Sequence, residues 1–384
     1  MLMIGLMSGT SADAVDAVLV QWPDDHATRP FELLGHVQVE HPPEIRDRIH
    51  QLAAGELAAG QVLAELLALD KWLGENFAAA ALRVVKEAGW ESERVDAISS
   101  HGQTVAHHPE IGGSLQIGSA SIIAERTGLR VVSDFRSRDL AMGGEGAPLA
   151  PFFHYAAFTH EHEGRVILNL GGISNLTWLP PNAAPAEVLA FDVGPANSLV
   201  DGVVSILTRG AEGMDRDGKR AEAGRVHEEF LAELLADEYL ERPPPKSTGR
   251  ERYGRAACSD LLRRWDSTSG ERSSEDLVAT LVAFTTEAVG RACRNWLPRS
   301  GDTVDRLIVG GGGALNPAMM SGLERALPDV DVDAMDLHGV PIFAAEAMAF
   351  SLLGRNTLLG IPNHLPACTG AQRAAVLGTI VPGS

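Results

Sequence analysis

The first twenty residues, MLMIGLMSGTSADAVDAVLV, restrict the fold more than any other stretch of the chain. Residues 1–7 are an apolar run, and Ser8, Gly9, Thr10 and Ser11 form a turn of small residues. Residues 13–20 then alternate back into a second strand. Strand, glycine-bearing turn, strand is the pattern of a β-hairpin, and an ordinary surface hairpin satisfies it. The hydroxyls of the turn and the carboxylates of Asp13 and Asp16 allow a second reading. Small residues let backbone N–H groups approach an anion, and Ser or Thr hydroxyls add donors or help hold a metal ion.

A chain of 384 residues is long enough for two domains, each with its own core. The net charge of −19 argues against a nucleic acid or an anionic membrane as partner. A phosphate ligand stays compatible with it, because local dipoles and a bound divalent cation act at short range. Cys258, Cys293 and Cys368 are scattered and form no CxxC pair. They read as reduced thiols, not as a disulfide framework or a zinc site. The N-terminal apolar run is too short for a signal peptide and lacks a basic flank. No stretch approaches the ~18 apolar residues of a membrane span. The expected location is the cytoplasm.

Residues 31–40 read as a third strand, closed by Pro42 and Pro43. Helices are expected over 43–54 and 61–88, the second from the spacing of Val62, Leu66, Leu69, Leu73, Phe77, Leu82 and Val85. A strand over 95–100 runs into His101. A helix over 119–126, a strand over 129–133 and a polar, glycine-rich loop over 134–146 follow. A second half then opens in the same way: strand 165–170, the turn Gly171-Gly172, strand 173–179. Strand 188–191 ends in Asp192, and helices are expected over 197–207, 221–236 and 274–296. Strand 305–309 precedes four glycines, and a last helix covers 342–358. The expected fold class is α/β in two domains, 1–160 and 161–384, the last helix being placed to pack back on the first.

Four glycine-bearing turns follow apolar strands, at 8–11, 171–174, 194–197 and 310–313. Ligands of open α/β structures sit at the carboxyl ends of strands, so four such turns in two similar halves point to a nucleotide in a cleft between domains. Asp192 is the candidate base. It ends a strand just before a helix, whose N-terminus favours the ionised carboxylate, and an aspartate so placed can deprotonate an attacking oxygen. A helix cap is the alternative for it. Asp201, further along that helix, is open between surface and metal-facing. His101, His107 and His108 lack a cysteine or carboxylate partner at metal spacing, and His101 reads better as a polar group facing the cleft. Asp134, Arg136, Arg138 and Asp139 are either a solvated cluster or substrate contacts. Lys246 and Arg250 are either surface loop or a clamp on an anion. Glu346 is a polar helix position. The residues alone describe an ATP-using cleft enzyme whose acceptor they do not name.

The motifs resemble, in order and over nearly the whole chain, those of the anhydro-N-acetylmuramic acid kinases, within the sugar kinase, heat-shock ATPase and actin superfamily. The carriers are GLMSGTSADAVD (5–16), SHGQT (100–104), LQIG (115–118), SDFRSRDLAMGGEGAPL (133–149) and NLGGISN (169–175). FDVGPAN (191–197), PPPKSTGRE (243–251), GGGALNP (311–317), EAMAF (346–350) and the tail LP…TGA (365–371) complete the set. The resemblance implies two actin-like, ribonuclease-H-like domains with mixed sheets and an interdomain ATP cleft. It implies a kinase that uses ATP and Mg2+ to add water across the 1,6-anhydro ring of anhydro-N-acetylmuramic acid while phosphorylating its 6-oxygen. The product is N-acetylmuramic acid 6-phosphate, in cell-wall recycling, and members are typically homodimers. Carried over, Gly9, Thr10, Ser11, Ala12, Asp13, Ala14, Val15 and Asp16 form the phosphate loop, with Gly171, Gly172, Gly311, Gly312 and Gly313 as further nucleotide contacts. Asp192 is the base, and His101, Gln103, Arg136 and Glu346 lie at the sugar. No metal ligand is assigned.

Two positions depart from the family pattern. Ala14 replaces a glycine; it is strained if its φ is positive and harmless if it is β-like, as its place in the second strand favours. Relatives carry IGD-x-N where this chain has Ile117, Gly118, Ser119, Ala120 and Ser121. A substrate contact made by that aspartate would be lost, and acceptor preference altered with it.

Overall fold

The computed structural model describes residues 1–268, 272–297 and 303–384. It begins β1 (Leu2–Ser8), β2 (Ala14–Gln21), β3 (Glu32–Glu40), α1 (Pro43–Ala53), α2 (Val62–Glu87), β4 (Ala97–His108), β5 (Gly113–Ile117), α3 (Ala120–Thr127), β6 (Val131–Ser133), α4 (Ser137–Ala141) and α5 (Ala150–Phe158). There follow β7 (Arg165–Leu170), β8 (Ile173–Leu179), β9 (Leu189–Pro195), α6 (Asn197–Leu207), α7 (Lys219–Ala223), α8 (Glu228–Leu234), α9 (Arg250–Tyr253), α10 (Arg255–Ser267), α11 (Ser274–Trp296), β10 (Arg306–Gly310), α12 (Pro317–Ala326) and β11 (Asp331–Ala334). The chain closes with α13 (Ala345–Leu359), α14 (Pro366–Thr369) and β12 (Thr379–Val381). Among the described residues no helix is long and apolar enough to cross a membrane.

Two compact units result, Met1–Ala157 with Ala344–Ser384, and Phe158–Phe343. The first carries a sheet in the order β12-β6-β4-β1-β2-β3, with β5 paired to β4; the second carries β11-β10-β7-β8-β9. Within each, the first three strands run antiparallel and the next is added parallel to the first, β4 beside β1 and β10 beside β7. The two halves thus repeat one ribonuclease-H-like topology, and the fold is the mixed two-domain α/β architecture of the actin-like class. Both β1 and β7 lie mid-sheet, which is why MLMIGLMS and RVILNL are nearly continuous apolar runs.

The boundary falls at 157/158 beside the expected 160/161, and residues 344–384, which include the helix expected to pack back on the first domain, belong to the first unit. Side-chain size explains it. A Cβ on Gly5 would lie 2.0 Å from the Ala347 carbonyl oxygen, so only glycine lets α13 lie directly on β1. The tail is also tied by Arg355, fully buried, whose guanidinium donates to the carbonyls of Pro23, Asp25 and Ala27. The single helix expected over 221–236 is two, α7 and α8. Gly224 separates them, with no room for a side chain against the backbone of Glu275.

Candidate active site

In the first unit the turn between β1 and β2 is closed by Ala12 N–H donating to Gly9 O, 3.0 Å. Thr10 and Asp13 are exposed and Gly9, Ser11 and Asp16 half-buried, so these line the face open to a ligand. Ala12 and Val15 point into the core and leave the set of side-chain contacts, while Ala14, at 9% exposure, shares the face of β2 that carries Asp16. Ala14 opens β2 in extended conformation. The left-handed residue of the turn is Ala12, at φ 52°. Asp13 pairs with Arg46 at 3.2 Å, and Asp16 accepts from His36 and Gln38, each at 3.1 Å.

Gln103 has a different place from the one expected. It is fully buried; its amide oxygen accepts the Ser8 hydroxyl at 2.7 Å, and its nitrogen donates to Gly9 O at 3.1 Å and Thr104 O at 3.3 Å. With both ends of the amide bonded, it braces the turn and is not a sugar contact. The strand expected to stop at residue 100 continues to His108, which puts SHGQT inside β4.

His101, Arg136 and Glu346 come together in this unit. His101 Nδ1 donates to Gly102 O at 2.9 Å, which leaves Nε2 to accept from Arg136 Nη2 at 2.8 Å. Burial, and then the Arg136 charge, hold the imidazole neutral, well below its ordinary pKa. Arg136 also donates from Nη1 to Gly146 O at 2.7 Å, and burial lowers its pKa to about 10. Glu346, one turn before Phe350 on α13, reaches solvent yet is densely surrounded by protein. Desolvation and then the Asp16 charge raise its pKa, against the pull of Arg136. The rest of DFRSRD is structural. Asp134 Oδ1 accepts from Ser137 N–H and Oγ, Arg138 donates to Val376 O, and Asp139 is buried. Ser119, where relatives carry aspartate, is the N-cap of α3 and accepts the Ile122 N–H. Asp and Ser cap helices about equally well, so the exchange keeps the local structure.

In the second unit Asp192 lies on β9, and its backbone pairs with the KST segment: Asp192 N–H donates to Lys246 O at 3.1 Å. Carboxylate Oδ2 accepts Thr248 N–H at 3.0 Å and the Ser247 hydroxyl at 3.2 Å. Among the described residues no hydrogen bond reaches Oδ1. Neither sequence argument about its helix survives. The N-cap of α6 is Ala196, and the N–H groups of Ala196, Asn197 and Ser198 donate to the carbonyls of Gly171 and Gly172, so they are turned away from the carboxylate. Desolvation, and not a helix terminus, dominates: it raises the Asp192 pKa, with Glu251 adding to it and Thr248 and Ser247 opposing. Lys246 donates to Tyr239 O and Leu240 O, fixing the loop instead of clamping an anion. Arg250 opens α9; its side chain lies outside the described residues. Ser247 and Thr248, which lie in the PPPKSTGRE motif but carry no role from the sequence, are the groups that orient Asp192. Two hydroxyl residues after the lysine were their only signal.

Gly171 and Gly172 line a cavity of about 840 Å³ with Asn197, Asp201, Arg209 and Arg255. Asp201 therefore faces a cavity, and burial followed by the Asp215 charge pushes its pKa up to about 7. Of the later glycines, Gly311 and Gly313 are where the chain presses on β7, a Cβ there falling 2.4 Å from Asn169 Oδ1 and 2.6 Å from Leu170 Cβ. Gly312 is the exposed one. Among the described residues no group of three or more His, Cys, Asp or Glu is assembled as a metal site.

A family model described as anhydro-N-acetylmuramic acid kinase matches residues 1–383. Proteins of that name are similar over almost the whole chain. The one from Caldanaerobacter subterraneus subsp. tengcongensis is 39% identical, covering 99% of this chain and 96% of its own. The one from Streptomyces coelicolor is 42% identical, covering 100% and 94%. That from Gloeobacter violaceus is 41% identical, covering 99% and 98%. On the match of its whole length and of these relatives, the chain belongs to the anhydro-N-acetylmuramic acid kinase family, phosphotransferases with an alcohol group as acceptor.

Proposed function

We propose that this kinase adds water across the 1,6-anhydro ring of anhydro-N-acetylmuramic acid and phosphorylates the released 6-oxygen from ATP, giving N-acetylmuramic acid 6-phosphate. The observation that carries the reading is Asp192, one carboxylate oxygen held by Thr248 and Ser247 and the other unbonded among the described residues. In its ionised form, Oδ1 accepts a proton from water as the water oxygen bonds to the anomeric carbon. The bond from that carbon to O6 breaks, and O6 takes the γ-phosphoryl group as the bond to the β-phosphate oxygen breaks. Arg136 and Glu346 bind the sugar, and neutral His101 supports Arg136 through its Nε2 lone pair. Thr10, Ser11 and the backbone of the turn bind phosphate, and the cavity at Gly171, Gly172 and Asp201 takes the nucleoside end.

Magnesium needs only one or two carboxylates beside substrate phosphates, and Asp13 or Asp16 at this turn would hold it on giving up its present partner, Arg46 for Asp13 and His36 and Gln38 for Asp16. When bound, it would neutralise charge on the transferred group. The protein is proposed to act as a cytoplasmic homodimer; sedimentation as a monomer would count against the dimer.

The test is incubation with ATP, Mg2+ and the anhydro sugar, read by mass spectrometry. The expected product is heavier by one phosphoryl group and one water. A product lacking the water, or full turnover by Asp192→Asn, overturns the mechanism.

A further inference from the structure

Asp139 and the tail segment 363–377 touch none of the proposed sugar contacts directly, yet they belong to a polar chain that ends on Arg136. Asp139 and His364 are buried, at 0% and 2% exposure. His364 Nε2 accepts the Ala375 N–H at 3.0 Å, and its Nδ1 lies 2.7 Å from Asp139 Oδ1 without an aligned hydrogen bond to it. The Thr369 hydroxyl donates to the same oxygen at 2.7 Å, and Asp139 Oδ2 accepts Gly146 N–H at 2.8 Å. The carbonyl of that same Gly146 accepts Arg136 Nη1. Burial alone would raise the Asp139 pKa; His364, Thr369 and Gly146 outweigh it and hold the group ionised. Further ties run from Glu145 N–H to Thr369 O at 2.8 Å and from Gln372 N–H to Met142 O at 3.1 Å.

We propose that Asp139, held by Thr369 of the tail and flanked by His364, is a positioning residue that fixes Gly146 and, through its carbonyl, aims the Arg136 guanidinium at the sugar. A buried carboxylate is a poor way to gain stability, since apolar side chains of the same volume often do better. As an anchor between the tail and the Gly146 loop it has a specific use. The inference rests on the reading of Arg136 as a sugar contact.

The experiment is steady-state kinetics on the full chain with each substrate varied. Asp139→Asn puts an amide N–H where Gly146 N–H needs an acceptor. It should raise KM for the anhydro sugar about tenfold, with KM for ATP within about twofold. In an Arg136→Ala background the same change should add less than about twofold to the sugar KM, because both act through one group. Equal rises in both KM values, or full multiplication with Arg136→Ala, overturn the proposal. Thr369→Val removes one hydroxyl at constant shape and should show the same split at about threefold, so a poorly folding Asp139→Asn does not end the test. If Arg136→Ala alone leaves the sugar KM unchanged, the sugar-contact reading fails before Asp139 is touched, and the proposal falls with it.

Discussion

The Asp192 carboxylate sits between two opposing influences, and their balance can be moved one hydrogen bond at a time. Desolvation raises its pKa, and the Ser247 hydroxyl stabilises the charged form. A base acts only when ionised, so the acid limb of kcat/KM should lie above the ordinary aspartate range. Ser247→Ala removes a donor to the anion and should move that limb to still higher pH, with kcat on the plateau less affected; a pH–rate profile reads this directly. Asp201 gives a second test, on stability. Its folded pKa, about 7, is above its unfolded value, so the folded state favours the protonated form. The resulting destabilisation is absent below the unfolded pKa, grows as pH rises, and is complete above about 7. Asp201→Asn should therefore raise Tm at pH 8 and leave it nearly unchanged at pH 3; equal shifts at both would show that the charge is not the cause. Little of this was legible beforehand. The sequence placed Asp192 at a strand end, but credited a helix terminus whose amides are bonded elsewhere. It also placed Gln103 at the sugar, since nothing in SHGQT tells which side chain turns inward.

At the scale of elements, the apolar runs and glycine-bearing turns were legible because each reports local geometry: β1, β2, β7, β8 and the long helices α2 and α11 stand within a residue or two of their expected places. What escaped were elements whose pattern is set by a neighbour. Strand β5 is defined by pairing to β4, β11 by pairing to β10, and α7 ends where Gly224 meets Glu275. The contact of α13 with β1 is likewise set by a neighbour, through Gly5. Gly5→Ala would drive a methyl into the Ala347 carbonyl and should destabilise the first unit by about 3 kcal/mol, read as a lower urea midpoint at constant m. A loss below about 0.5 kcal/mol would mean that the helix moves aside freely.

At the scale of the whole molecule, two halves of like topology were readable from their like openings; packing of the last helix on the first domain was expected, but the inclusion of the tail 360–384 in the first unit was not read. Long-range return has no local signature; only the packing of Ala347, Met348, Leu352 and Leu353 records it. Truncation after Phe343 removes these residues together with Arg355. The shortened chain should bind a hydrophobic dye and lose its protease resistance within 1–157, while fragments from 158–343 persist. Equal resistance of both parts would show that the tail is dispensable.

The returning tail also sets an order of events during synthesis. The second unit is an unbroken segment and is whole once Phe343 has emerged, whereas the first, made earliest, waits for residues 344–384. At roughly 5–20 residues per second, β1 to β3 stay uncovered on the α13 side for some tens of seconds while 158–343 is translated. The half of the enzyme that leaves the ribosome first is thus the last to be completed, and it is the half in which a nascent chain depends most on protection from aggregation.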